Sequence, residues 1–191
     1  IVSNLLFVSL FGSLLVPSLL GLSNAGNVFY AIVLFGFLVL CEYHGKGETL
    51  RTIYLGLFSV ALLLIASYGV ASLGGVAETS AVKGAIETLF LTAPRVALAS
   101  LLAFVFSQML VVHLFLWLRD YFRKKYLWLR AGVTVVAGQA IDSIVFFSIA
   151  FAGTIPLGEL NGILMSGFLI KVALGFIFIP FLYLAGKMES I

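Results

Sequence analysis

Charge is what this sequence has least of. No charged side chain occurs from Ile1 to Cys41, and over the whole chain 10% of residues are charged against 62% hydrophobic. Soluble domains average about a quarter charged residues. This chain has too few to clothe a water-facing surface. Cysteine is all but absent: Cys41 stands alone in an apolar run, which excludes a disulfide framework or a cysteine metal site within one chain. Histidine occurs only as His44 and His113, on different segments and without an HExxH spacing. No metal centre is therefore expected. GxSxG and Gly-rich phosphate-loop motifs are missing too, so neither a hydrolase nor an ATPase is indicated, and we expect a non-enzyme without a cofactor. The net charge of +3 is a weak basis for a nucleic-acid partner, and the basic residues have a better explanation.

What is present is a series of long apolar runs. Each is near the roughly 20 residues that a helix needs to cross a bilayer core. We expect an all-α, polytopic membrane protein, one bundle of six transmembrane helices at about 1–20, 27–42, 52–73, 95–118, 132–155 and 161–186. The runs are continuous and do not alternate, which disfavours membrane strands. The first lacks a basic flank and a small-residue cleavage site, so it reads as a span rather than a signal peptide. "GLSNAGN", Gly21 to Asn27, is rich in turn formers and separates the first two spans.

With six spans, Lys46 and Arg51, then Arg119, Arg123, Lys124, Lys125 and Arg130, then Lys187 fall on one side. The other side holds Lys83, with Arg95 at its border. The excess marks the cytoplasmic side and puts both termini there. Trp117, Tyr121, Tyr126 and Trp128 flank the basic loop as an aromatic belt would. In Gly75–Pro94, Glu78, Lys83 and Glu87 alternate with apolar residues at a spacing that suits a short surface helix; a solvated loop fits equally well.

The few polar residues inside the spans call for a reason. Asp142 and Lys171 each lie near mid-span, where a charge costs roughly 2.5–3.5 kcal/mol on insertion scales. They are nearly equidistant from the turn near Leu157, so antiparallel neighbours bring them to one depth as an ion pair. The plain alternative is a pair that only fixes packing. Gln139 precedes Asp142 by three residues and shares its helix face, with Ser143 alongside. Gln108 sits mid-span in the fourth run, near Ser107 and Ser100, and Asn24 and Asn27 add amides near the first outer turn. Buried amides often serve as interhelical glue worth about 1 kcal/mol. Two glutamines, a carboxylate and a lysine at one depth suggest a lined cavity. At the border of the second span, in "LVLCEYHGKGETLR", Gly45 and Gly47 can stop the helix. Glu42 there can pair with a basic residue of the other inner loop or close an inner gate; a solvated cap is the alternative.

"EYHGK", "PRVALASLLAFVFSQ", "LWLRAGVTVVAGQAIDSIVFF" and the later "K…IPFLY" resemble the queuosine precursor transporters, also called the vitamin uptake transporter family. The likeness runs from about Asn27 to Tyr183. Its most specific block holds Trp128, Arg130, Gln139, Asp142 and Phe146 in that order. Glu42, Gly45, Lys46, Arg95, Gln108, Gln139, Asp142 and Lys171 match polar or glycine positions of the family. Two departures stand out: many members carry aspartates where this chain has Leu38 and Val111. The resemblance implies a six-span protein of the cell inner membrane that takes up cyano- or aminomethyl-deazaguanine, precursors of a modified tRNA base.

Such a base presents N–H donors beside a carbonyl. A carboxylate can accept from the donors while an amide or lysine donates to the carbonyl. Asp142 and Gln139 are the expected edge-recognition pair, with Gln108 and Lys171 opposite. Phe146 and Phe147, one turn further on, are the expected platforms for the flat face. Glu42, Arg95 and Arg130 are expected to gate or brace. The expected partners are a small purine-like base and the lipid bilayer, without nucleic acid; the sequence leaves a homo-oligomer open. A second reading is the substrate-capture subunit of a vitamin importer with a separate ATPase. Ala93, Ala97 and Leu101 do not sustain the small-residue strip that partner docking would use. A third reading, an assembly protein without a ligand, expects no cavity around Asp142.

Overall fold

The computed structural model describes residues 15–18, 21–24, 26–72, 84, 94–151, 153 and 157–188. Among them are five helices: α1 (Gly26–Tyr43), α2 (Gly45–Ser72), α3 (Pro94–Tyr121), α4 (Leu127–Phe151) and α5 (Leu157–Met188). A short antiparallel hairpin precedes them, β1 (Leu15–Ser18) and β2 (Gly21–Asn24), with Leu15 opposite Asn24 and Ser18 opposite Gly21. The expected first helix therefore does not reach Leu20. Pro17 removes an N–H that a helix interior would use, and the Gly-Leu-Ser-Asn run that follows favours a turn. The rest of the first expected span lies outside the described residues, as does the expected outer helix of Gly75–Pro94, apart from Gly84 and Pro94.

Four stretches are long and apolar enough to cross a membrane: Gly45–Ala66, Leu98–Tyr121, Leu127–Phe151 and Leu164–Ala185. Tyr30–Tyr43 in α1 is a shorter apolar helix. At about 1.5 Å rise per residue, the 18 residues of α1 approach the thickness of a bilayer core. Large apolar side chains face outwards, among them Phe58, Ile65, Leu98, Phe106 and Ile177. In water this would be a liability; in lipid it is the expected surface. This is a multi-pass membrane protein of the cell membrane.

The core lies where α1, α3, α4 and α5 meet, with Val33, Leu34, Phe37, Val112, Phe115, Val135 and Leu182 fully or almost fully buried. The most extensive packing is α3 on α4; α1 and α4 each also pack on α5. Glycine sets two of these approaches. A Cβ at Gly138 would stand 2.5 Å from Val111 Cγ2, and one at Gly175 would stand 2.5 Å from Val135 Cγ1. Neither contact leaves room for a methyl group, so α4 can lie this close to α3 and α5 only with glycine there.

Helix boundaries differ from the expected ones at the charged segments. His44 alone separates α1 from α2, and Gly45 (φ +77) opens α2. Gly47, Glu48 and Arg51 lie inside α2, not in a loop. Thr49 and Thr52 return hydroxyl hydrogen bonds to the carbonyls of Gly45 and Glu48, a local satisfaction that lets polar residues open a helix. The α3–α4 loop is tighter than expected. Lys124 N bonds Arg119 O at 2.8 Å and Arg123 N bonds Asp120 O at 3.1 Å, a Schellman closure of α3. Arg123, Lys124 and Tyr126 all have positive φ, where glycine is the usual occupant. Pro180 lies inside α5.

Candidate functional site

Asp142 and Lys171 meet as expected. Lys171 Nζ stands 2.6 Å from Asp142 Oδ2, joining the middles of α4 and α5. Asp142 is 5% exposed. Its second oxygen, Oδ1, accepts from the Tyr30 hydroxyl of α1 at 3.1 Å. That hydroxyl also accepts from Gln108 Nε2 of α3 at 3.1 Å and lies 3.0 Å from Ser107 Oγ. The Lys171 ammonium stands 5.2 Å from the centre of the Tyr30 ring, within cation–π range. Four helices thus converge on one carboxylate, through a tyrosine that the charge pattern does not point to. A phenol in an apolar span is a hydroxyl that must find a partner, and that was its only signal.

The cluster is not saturated. Gln108 Oε1, Gln139 Oε1 and Ser143 Oγ are buried and have no hydrogen-bond partner. Gln139 and Ser143 lie beside Asp142 on α4, as expected, and are 1% exposed each. Buried polar atoms are satisfied in more than about nine cases in ten, so these three, one in the pair's network and two close to Asp142 along α4, require an explanation. Two are amide oxygens, which can only accept.

Phe146 and Phe147 sit one turn further along α4, edge to face at 5.2 Å. Phe147 is buried, and both rings meet Phe151. Ser100 is exposed on α3. Arg95 stands in the first turn of α3 and Asn27 in the first turn of α1, while Asn24 ends β2; the side chains of all three lie outside the described residues.

A second charged assembly occupies the other end of α1. Arg130 NH1 and NH2 hold Glu42 Oε2 and Oε1 at 2.8 and 2.9 Å. Arg130 Nε donates to Lys125 O at 3.0 Å, NH2 lies 3.4 Å from Lys124 O, and the guanidinium covers the Phe115 ring at 5.1 Å. Glu42 thus pairs with a basic residue as expected, though Arg130 belongs to the first turn of α4 and not to a loop. Arg119 NH1, 3.2 Å from both Cys41 O and Glu42 O, caps the C-terminus of α1, where a cation meets the negative end of the helix dipole. Tyr43 OH donates to Leu182 O at 3.0 Å, and Trp128 N to Tyr183 OH at 3.1 Å.

Between the two assemblies runs a crevice between α1, α4 and α5, lined by Ala31, Leu34, Leu38, Val135, Gly175 and Leu182. Its lining is apolar, and Asp142 does not line it. Leu38, one of the two departures from the family's carboxylates, lines this crevice. Val111, the other, packs on Gly138. Both are buried in the apolar core.

Fold and site together define a helical membrane protein with an ion pair and unpaired polar groups in its interior, the pattern of a membrane transporter. The family described as "Putative vitamin uptake transporter" matches residues 24–185, and the chain belongs to this family. It is 38% identical over 167 residues to the "Probable queuosine precursor transporter" of Bacillus subtilis (strain 168), a match covering 87% of this chain and 72% of that protein. No solved structure matches it significantly.

Proposed function

We propose that this chain carries a purine-like base, a cyano- or aminomethyl-deazaguanine, across the cell membrane by secondary or facilitated transport. The relative's name supports the ligand class. The observation that carries the reading is the unsaturated cluster: Gln108 Oε1, Gln139 Oε1 and Ser143 Oγ, buried without partners beside the Asp142–Lys171 pair. The N–H donors of the base satisfy the amide oxygens and Asp142, and Lys171 donates to its carbonyl. Asp142 and Gln139 read one edge, Gln108 and Lys171 stand opposite, and Phe146 and Phe147 supply the aromatic face. Both oxygens of Asp142 are engaged internally, by Tyr30 and Lys171. Binding therefore requires at least one of them to yield its place.

We further infer six spans, with Arg119, Arg123, Lys124, Lys125, Lys187 and both termini on the cytoplasmic side. The basic excess supports this, and cysteine-accessibility labelling of residues 119–130 tests it. An outside location would overturn the orientation. Uptake of cyano- and aminomethyl-deazaguanine into proteoliposomes holding the purified chain alone tests the transport reading. Accumulation of at least one of the two above protein-free vesicles is expected. Binding without uptake would instead favour a capture subunit, and neither binding nor uptake by folded protein would reject the reading.

A further inference from the structure

We propose that the interior site selects by charge, taking a neutral base and rejecting a cationic one. This rests on the ligand class proposed above and concerns its side group, cyano or aminomethyl. The apolar stretches Tyr30–Cys41, Thr52–Ala66, Leu98–Leu118, Ala131–Phe151 and Leu164–Ala185 contain two charged side chains, Asp142 and Lys171. These neutralise each other at 2.6 Å. The other side chains at the pair, Tyr30, Ser107 and Gln108 in its hydrogen-bond network and Gln139 and Ser143 buried beside it, are uncharged. Leu38 and Val111 add no carboxylate; both are buried among apolar residues.

Among the described residues the site therefore sums to zero before a ligand arrives. A neutral base keeps it at zero. Its donors fill the vacant amide oxygens, and Lys171 retains a carboxylate oxygen. An aminomethyl group is an alkyl amine, protonated near neutral pH like a lysine. With it the site sums to plus one unless an amine gives up its proton, which near neutral pH also costs affinity. If the ligand's ammonium takes Asp142, Lys171 is left without a counter-charge. If Lys171 keeps Asp142, the ammonium is unpaired. In a dry interior either arrangement costs more than the hydrogen bonds return. Nor does distance rescue it, because Coulomb terms fall slowly at low dielectric.

The test is equilibrium binding to purified protein in nanodiscs with three probes: cyano-deazaguanine, aminomethyl-deazaguanine and its N-acetyl derivative. The last is larger than the amine but uncharged. We expect the amine to bind on the order of a hundredfold more weakly than the cyano base, and acetylation to recover most of the loss. Equal or tighter binding of the free amine overturns the proposal. So does an acetyl derivative as weak as the amine, which would make bulk and not charge the filter. Failure of all three to bind folded protein removes the ligand class itself, and the charge filter with it. Lys171→Gln gives the protein-side check. Where its melting temperature shows a folded protein, the site sums to minus one and the amine should gain on the cyano base. An unchanged ratio in that folded variant also overturns the proposal.

Discussion

Among the described residues two largely buried ion pairs stand out, and they are finished differently. At the end of α1, all three Arg130 nitrogens have partners, both Glu42 oxygens are held, and a ring covers the guanidinium. Two buried polar atoms near it lack a partner, Arg119 Nε and, one turn along α4 from Arg130, Thr134 Oγ1, and neither belongs to a member of the pair. At mid-helix, Asp142 and Lys171 touch through one oxygen, and three unpaired polar atoms lie in their network or beside them. A saturated bidentate pair has no valence left for a ligand and serves as a brace. An unsaturated one holds its neighbours at a cost that a ligand can relieve. On the function proposed above, the same chemistry, a carboxylate with a cation, serves as fixed architecture in one place and as a receptive site in another.

The comparison can be broken at either end. The largest effect is expected at the brace. Arg130→Met leaves Glu42 without its partner and frees the carbonyls of Lys124 and Lys125, at a cost of about 3–5 kcal/mol. Detergent melting and monodispersity should show a severe loss, and a variant that melts like wild type would show that the pair is not a brace. Next is Asp142→Asn, which keeps the shape but turns one acceptor into a donor. A loss of about 2–4 kcal/mol in ligand binding is expected. Wild-type binding by the folded variant would make Asp142 structural and reverse the contrast. Tyr30→Phe removes the hydroxyl shared by Asp142, Gln108 and Ser107. It should lower stability by about 1–2 kcal/mol, read as a fall in melting temperature, and no fall would mean that the hydroxyl is dispensable to the network. The smallest effect has the opposite sign. Arg123→Gly relieves a left-handed non-glycine residue and should raise stability by about 0.5 kcal/mol. A drop on melting would show that the arginine side chain matters more than its backbone.

The charged residues were the legible part of both assemblies. A charge inside an apolar run is expensive enough to demand a partner, and only Asp142 and Lys171 share a depth. Gln139 and Gln108 followed from helix periodicity. Tyr30 was not legible, because a tyrosine in a membrane helix looks like one more apolar residue until its hydroxyl has an address. For Glu42, the need for a basic partner was readable, but the choice of Arg130 over its neighbours depends on a loop with three left-handed residues. The five helices were readable from hydropathy within a few residues, except where polar residues open α2 and α4. In α2 the chain is helical earlier than its apolar run begins, since Thr49 and Thr52 supply local hydrogen bonds that hydropathy does not weigh. The hairpin at Leu15–Asn24 was hidden by the same blindness, because a long apolar run outweighed Pro17 and the turn formers after it.

Cys41 is fully buried at the end of α1, its own carbonyl held by Arg119, and no other thiol exists in the chain. The unmodified protein therefore comes with a chemical clock already installed. A maleimide can react only when the end of α1 parts from its neighbours, so the labelling rate in membranes reads the frequency of that opening. No cysteine has to be removed and none introduced, and the rate with and without a deazaguanine measures how far the ligand shifts the balance between closed and open.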